Sequence, residues 1–172
     1  EWEEADVAAI RRWVGETRIR WGIDKENRTE LGLPALEENT WKSGLERLLL
    51  GYAMPGNTTR MFKEILPCDS VEGSDSAVLG KFVAFADRVF NEVRNLTAPR
   101  TLADWSTKLT VLVDRLFAPD DRAQAHVTRL RVLLSGLKDL PFVSGFEGET
   151  SLDSARSHLI ERLEKRGVGY GF

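Results

Sequence analysis

Apolar residues recur at spacings of three and four along almost the whole chain, which is the pattern of amphipathic α-helices. The clearest stripe lies in residues 39–54, and its members are expected to be buried: Trp41, Leu45, Leu48 and Tyr52. No stretch alternates apolar and polar residues between the boundaries of a strand. The pattern therefore predicts an all-α fold, a single domain of about six or seven helices over residues 1–172.

Capping residues and helix breakers give the expected boundaries of these helices. Asp, Asn, Ser and Thr side chains at a helix start accept hydrogen bonds from unpaired backbone N–H groups, and proline or glycine often follows a helix end. The predicted caps are Asp6, Asp24, Asn39 or Thr40, Ser74, Thr101, Asp120 or Asp121, and Thr150. The predicted ends lie near Gly32, Met54, Leu96, Pro119, Pro141 and Gly167.

Two glycines lie seven residues apart on the helix predicted over residues 39–54, at Gly44 and Gly51. Each costs about 1 kcal/mol relative to alanine inside a helix, so their presence needs a reason. One interpretation is that another part of the backbone approaches this face closely. The other is that Gly51 marks fraying near the helix end. The sequence leaves both open.

The composition limits the partners that the chain is expected to have. Its 172 residues carry a formal net charge of −3, whereas a dedicated nucleic-acid-binding domain is more often basic. Any DNA contact would therefore need a local patch. Cys68 is the single cysteine, which is typical of a reducing compartment, and no apolar run approaches the ~18 residues of a membrane helix. We expect a cytoplasmic protein with no membrane partner.

The residue types needed for catalysis do not form a recognisable constellation. A phosphate-binding loop needs Gly-x-x-x-x-Gly-Lys-Ser/Thr, whereas the Gly-Lys pair at residues 80–81 is followed by Phe82 within a predicted helix. One cysteine and two histidines are too few for a zinc site, and we expect His126 and His158 to be half-buried packing residues. Cys68 has no basic neighbour to activate it. We predict no catalytic residue, no metal and no cofactor.

Two local regions carry an excess of positive charge. Residues 11–28 contain six cationic and three acidic side chains with Trp13 and Trp21 among them, and residues 122–138 contain four cationic side chains and no acid. Cations interleaved with aromatic rings bind single strands through phosphate pairing and base stacking. Alternatively, the tryptophans belong to the core and the cations are solvated or pair with acids. The candidate DNA- or partner-binding residues are Arg18, Arg20, Arg28, Arg122, Arg129, Arg131 and Lys138.

Several strings in the chain resemble the RecC family, the gamma subunits of the bacterial RecBCD helicase–nuclease, exodeoxyribonuclease V. The resemblance is densest over residues 10–54, in the strings Ile19-Arg20-Trp21-Gly22-Ile23-Asp24, Leu33-Pro34, Asn39-Thr40-Trp41 and Gly44-Leu45-x-Arg47-x-Leu49-Leu50-Gly51-Tyr52-Ala53-Met54. Shorter matching strings are Ile65-Leu66-Pro67, Arg100-Thr101-Leu102-x-x-Trp105 and Phe117-x-Pro119. The chain departs from the family's pattern at Lys42, Ser43 and Cys68.

The resemblance implies a function and partners. A RecC subunit is similar to a superfamily-one helicase without ATP chemistry; it holds the RecB and RecD motors, splits the duplex and helps to recognise Chi during double-strand-break repair and homologous recombination. This chain would be an excerpt of that longer subunit, a helicase accessory-domain-like insertion with Glu1 and Phe172 on the same side. The implied partners are RecB-like and RecD-like subunits, and DNA bound weakly through this segment.

Two functions remain open at this point. Either the segment guides DNA within a larger complex, or it is a protein-interaction module that contacts partner subunits without touching DNA. The net charge of −3 predicts DNA binding no tighter than the ~10⁻⁴–10⁻⁶ M that is typical of non-specific contact. The absence of site chemistry disfavours an independent helical enzyme.

Overall fold

The helices follow the apolar stripes of the sequence. The computed structural model describes residues 2–56 and 60–165, and within these ranges it contains eight α-helices, two short 3₁₀ turns and two isolated β-bridges, without an extended strand. The α-helices are α1 Glu4–Glu16, α2 Lys25–Glu30, α3 Trp41–Ala53, α4 Ser76–Asn95, α5 Leu102–Leu116, α6 Asp121–Ser135, α7 Leu140–Ser144 and α8 Leu152–Lys165. The predicted all-α class is confirmed.

Four helices begin at a cap that the sequence predicts. In each, an acceptor side chain receives the backbone N–H three residues later at 2.8–3.2 Å, which satisfies a donor that has no partner inside the helix. These caps are Asp24, Thr40, Thr101 and Asp120.

Other predicted boundaries are wrong. The N-cap of α1 is Glu3, whose backbone N–H donates to Asp6 at 3.2 Å, so Asp6 lies inside the helix. A 3₁₀ turn contains Ser74, and α4 begins after it. Pro141 lies in the first turn of α7 instead of ending a helix, because proline has no N–H to leave unpaired there. Helix α8 begins at Leu152, two residues after the predicted cap at Thr150.

The chain divides into two compact units, Glu1–Phe90 and Asn91–Phe172. The core of the first unit contains residues from α1, α3 and α4 together with Cys68 and Val71 from the connector. Trp13 and Leu48 are completely enclosed in it, and the Trp13 Nε1 donates to the carbonyl of Ser70 at 3.1 Å. The buried indole therefore keeps a hydrogen bond, which avoids the cost of an unpaired donor.

The α3 stripe is buried for most of its length. Leu45 and Leu48 are buried as predicted, and Trp41 is half-buried with its ring centroid 6.2 Å from that of Phe82. The prediction for Tyr52 is wrong, since this side chain is 44% exposed. It lies in the last turn of a helix whose buried face at that end is occupied by Gly51.

The two glycines of α3 mark close packing. A Cβ on Gly51 would overlap the backbone carbonyl group of Cys68 and lie 3.0 Å from the backbone nitrogen of Asp69. A Cβ on Gly44 would overlap the side chain of Ile19. The prediction that another part of the backbone approaches closely is confirmed at Gly51 and wrong at Gly44, where the neighbour is a side chain; the fraying interpretation is wrong because Gly51 is buried.

The core of the second unit is built on Trp105 of α5, together with Leu137 and Ala155. The Trp105 Nε1 donates to the Thr150 carbonyl at 2.9 Å. The backbones of Thr150 and Arg100 exchange two hydrogen bonds of 2.8 and 3.0 Å, so the segment before α5 is fixed to the segment before α8. Thr150 thus holds the unit together where the sequence predicted a helix cap.

Three expectations keep their status as predictions. The helix end at Gly167 and the proximity of Glu1 to Phe172 concern residues outside the described ranges. The extent of a single domain over residues 1–172 also stays a prediction. Among the described helices, none is both long enough and apolar enough to cross a membrane.

Candidate functional site

The two tryptophans of the first basic region lie in different environments. Trp13 belongs to the core of the first unit, so the core interpretation is confirmed for this residue. Trp21 is 41% exposed, and the guanidinium carbon of Arg28 lies 4.1 Å from its ring centroid. A ligand could therefore stack on Trp21 and not on Trp13.

Arg28 is a structural residue. It is 5% exposed, and its Nη1 donates to the carbonyls of Leu36 at 3.1 Å and of Glu38 at 3.3 Å. A Cβ on Gly22 would lie 2.9 Å from the Arg28 Cγ, so the positive-φ glycine makes room for this side chain. The guanidinium of Arg28 is enclosed and bound to the loop that follows α2, so little of it is accessible to DNA, and its role as a binding candidate stays a prediction.

Arg18 and Arg20 are exposed, and the surroundings of Arg18 are not basic. Arg18 lines a cleft of about 950 Å³ in the first unit. The charged residues of this cleft are Glu16, Glu37, Glu38, Glu46 and Glu64 against Arg18, Arg47 and Lys63. Arg47 also donates to the carbonyls of Leu66 and Thr17 at 2.9 and 3.0 Å. The excess of carboxylates opposes a phosphate at this position.

The cations of the second basic region have different partners. Arg122 and Arg129 of α6 are exposed, and neither side chain forms an ion pair in the described part of the chain. The Nε and Nη2 of Arg131 both donate to the Asp114 Oδ1, at 2.9 and 2.7 Å. Lys138 is exposed in the 3₁₀ turn after α6. Arg122, Arg129 and Lys138 are therefore the cations most available to an anionic partner.

A shallow groove of about 450 Å³ separates α5 from α6. Its lining residues are Ser106, Thr107, Thr110, Val111, Thr128, Arg131, Val132, Ser135 and Lys138. Thr107, Thr110 and Ser135 donate their hydroxyl protons to carbonyls of their own helices. Three of the hydroxyls therefore face the groove as acceptors, and its positive charge comes from Lys138 and from Arg131 paired with Asp114.

A buried carboxylate, Glu92, lies elsewhere in the second unit. It accepts hydrogen bonds from Lys108 at 2.5 Å and from Arg115 at 3.0 Å. The hydrogen bond from Lys108 is the main cause that lowers the pKa of Glu92, with Arg115 acting in the same direction and burial opposing both. Each carboxylate oxygen of Glu92 is paired with a cation of the same unit, so the group stabilises the folded unit.

The remaining titratable groups do not gather into a reaction centre. The described residues contain no group of three or more His, Cys, Asp or Glu side chains that could hold a metal ion. Cys68 is buried in the core of the first unit. His158 is half-buried as expected, whereas the expectation for His126 is wrong, since this side chain is exposed on α6.

Comparison with known proteins decides the family. The family model described as "RecBCD enzyme subunit RecC fourth domain" matches residues 1–167. The chain belongs to the RecC family. The RecBCD enzyme subunit RecC of Escherichia coli K12 is 29% identical over 98% of the chain, and that of Mycobacterium tuberculosis H37Rv is 35% identical over 70%. The RecC subunit of Haemophilus influenzae is 25% identical over 87%.

The chain spans a small part of these RecC relatives. It covers 15% of the length of the Escherichia coli protein and 11% of that from Mycobacterium tuberculosis. The part of the family that it matches is the one described as the fourth domain.

The contacts that engage Arg28 and Arg131, and so distinguish them from Arg122 and Arg129, leave no local pattern in the sequence. Asp114 lies seventeen residues before Arg131 on another helix, so no local spacing links them. The partners of Arg28 are backbone carbonyls, which carry no side-chain signal in a sequence. The positive-φ Gly22 six residues earlier was the available hint, because it leaves space beside the Arg28 stem.

Proposed function

We propose that this chain is a non-catalytic helical accessory domain in a RecC-like subunit of a RecBCD-type DNA helicase–nuclease. It acts in double-strand-break repair and homologous recombination, through contact with neighbouring subunits and weak guiding of DNA. The match of residues 1–167 to the fourth domain of RecC carries this proposal. The RecB-like and RecD-like subunits supply the ATP and nuclease chemistry, and this segment supplies surfaces that contact the neighbouring subunits and DNA.

The α6 surface supports the DNA part of the proposal. Arg122 and Arg129 lie seven residues apart, so they share one face of α6 at a separation of about 10 Å along its axis. That distance corresponds to roughly three nucleotide steps at 3.4 Å per strand. Two exposed arginines at this spacing can each meet a phosphate of one strand. With so few phosphates engaged, the contact is weak and shallow in its salt dependence.

A protein-interaction module that never touches DNA is the second candidate. Three observations favour the interaction module, because each makes a candidate cation less available to DNA. Carboxylates predominate in the cleft beside Arg18, Arg28 is buried, and Arg131 is paired with Asp114. The two candidates differ in what they require of α6. DNA guiding needs Arg122 and Arg129 close to phosphates, and the interaction module does not.

Fluorescence anisotropy of the assembled complex on forked DNA separates these candidates. Replacing Arg122→Glu and Arg129→Glu in the full-length subunit should weaken binding and lower the salt slope by about 1–2, since about one unit is lost per phosphate contact. The control is Arg88→Glu with Arg156→Glu, an equal charge change at two other exposed arginines. If both double variants bind like the unsubstituted complex, the interaction module is the better description.

A further inference from the structure

Four large apolar side chains stand exposed around the buried Arg28. They are Trp21, Leu31, Leu33 and Leu36, and their exposed fractions range from 37% to 63%. We call them, with Arg28, the Arg28 surface. Single exposed apolar residues are ordinary, but a group gathered round one centre marks a contact surface.

Each of these four residues is tied directly to Arg28. The backbone N–H groups of Leu31 and Leu33 donate to the Arg28 carbonyl at 3.2 and 2.9 Å. The Leu36 carbonyl accepts from the Arg28 guanidinium at 3.1 Å, and the Trp21 ring lies against that guanidinium. The backbone at Leu31, Leu33 and Leu36 and the ring of Trp21 are therefore held in place before any partner binds, which lowers the entropic cost of association.

Acidic residues surround this apolar centre. The segment from α2 to the start of α3 carries Glu26, Glu30, Glu37 and Glu38 against two exposed cations, Lys25 and Lys42, and Lys42 lies 3.6 Å from Glu37. Lys25 is itself within 3.8 Å of Glu26 and 3.7 Å of Glu37. This rim repels a nucleic acid and complements a protein face with an apolar centre and basic edges.

The size of the RecC-like subunit indicates which partner covers the Arg28 surface. The chain covers 15% and 11% of two RecC relatives, so most of such a polypeptide lies outside this region. A neighbouring part of the same polypeptide is present at an effective concentration in the mM range. We propose that the Arg28 surface docks on another domain of its own subunit, through an apolar face with basic edges. This inference rests on the proposed function, because it requires the longer RecC-like subunit.

Site-specific crosslinking in the full-length subunit, assembled with its partners, tests the docking. A photoreactive benzoylphenylalanine replaces Leu36 in one variant and Met61 in the control, which is 61% exposed and lies outside the Arg28 surface. Peptide mapping should find crosslinks from position 36 to the same polypeptide beyond this chain, and several-fold fewer from position 61. Crosslinks to another subunit, crosslinks to DNA, or equal yields from both positions would overturn the inference.

Two further substitutions in the same subunit, each introducing a carboxylate, give a second, independent readout. Introducing Lys25→Glu should change the pattern little, whereas Leu31→Asp should reduce the crosslink from position 36 several-fold because a carboxylate enters the apolar centre. An unchanged crosslink in the Leu31→Asp variant would contradict docking through this centre. The yield is measured within one polypeptide, so it remains informative if the complex fails to bind or unwind DNA, which is the failure of the proposed function.

Discussion

Gly51→Ala tests the packing of α3 against the connector most sharply. The new methyl group would gain about 1 kcal/mol in helix propensity. It would also overlap the Cys68 carbonyl group, which is backbone and is fixed by the hydrogen bond from the Cys68 N–H to the Arg47 carbonyl at 2.9 Å. Overpacking costs about 1–3 kcal/mol and a strained hydrogen bond about 0.5–1.5 kcal/mol more. We expect Gly51→Ala to lower the free energy of unfolding by about 1–3 kcal/mol.

Gly80→Ala is the matched control. Gly80 lies on α4, and a Cβ there would have no atom within 4 Å, so this variant should gain about 0.5–1 kcal/mol from helix propensity alone. Urea unfolding followed by circular dichroism at a helical wavelength measures both changes. If Gly51→Ala were stabilised as much as Gly80→Ala, the close approach of the backbone at Gly51 would be refuted.

Three further predictions concern the core, the buried carboxylate and the groove. Leu48→Ala should cost about 2–5 kcal/mol in urea unfolding, because Leu48 is fully enclosed, and Tyr52→Ala should cost far less. Because the pKa of Glu92 is lower in the folded protein than in the unfolded chain, the ionised carboxylate stabilises the fold at pH values above the unfolded-state pKa. This contribution is lost as the pH falls through the folded-state pKa, so the free energy of unfolding of Glu92→Gln should fall less steeply in an acid titration. An unchanged pH profile would contradict this. Asp114→Ala should change stability by about 0–1 kcal/mol, because its ion pair is solvent-exposed, and should leave binding of the full complex to forked DNA unchanged, because Arg131 lies on the side of α6 opposite to Arg122 and Arg129; stronger binding in the anisotropy assay would contradict this.

Local rules predicted the parts of this fold that depend on neighbours in sequence. The caps at Thr40 and Thr101 follow from one side chain and the N–H three residues later. The paired glycines of α3 were visible because a glycine inside a helix needs a compensating contact. The sequence could not say which segment supplies that contact, since the partner of Gly51 lies in the connector around Cys68.

The candidate site was harder to predict because it depends on contacts between distant residues. Arg28 and Arg131 look like surface cations in a charge count, and both are engaged by groups that no local pattern reveals. The acidic character of the cleft beside Arg18 arises from glutamates in separate segments. Arg122 and Arg129 are available because residues 122–138 contain no acid and neither side chain forms an ion pair in the described part of the chain.

The structure of the assembled complex on forked DNA is the most direct test of the proposed accessory role. We expect the residues of this chain to hold no nucleotide or catalytic metal, and the Arg28 surface to be covered by its own subunit. We also expect Arg122 and Arg129 to face DNA phosphates within ion-pair distance, about 4 Å. A nucleotide bound by this chain, or DNA running past another face while α6 points into solvent, would contradict the account.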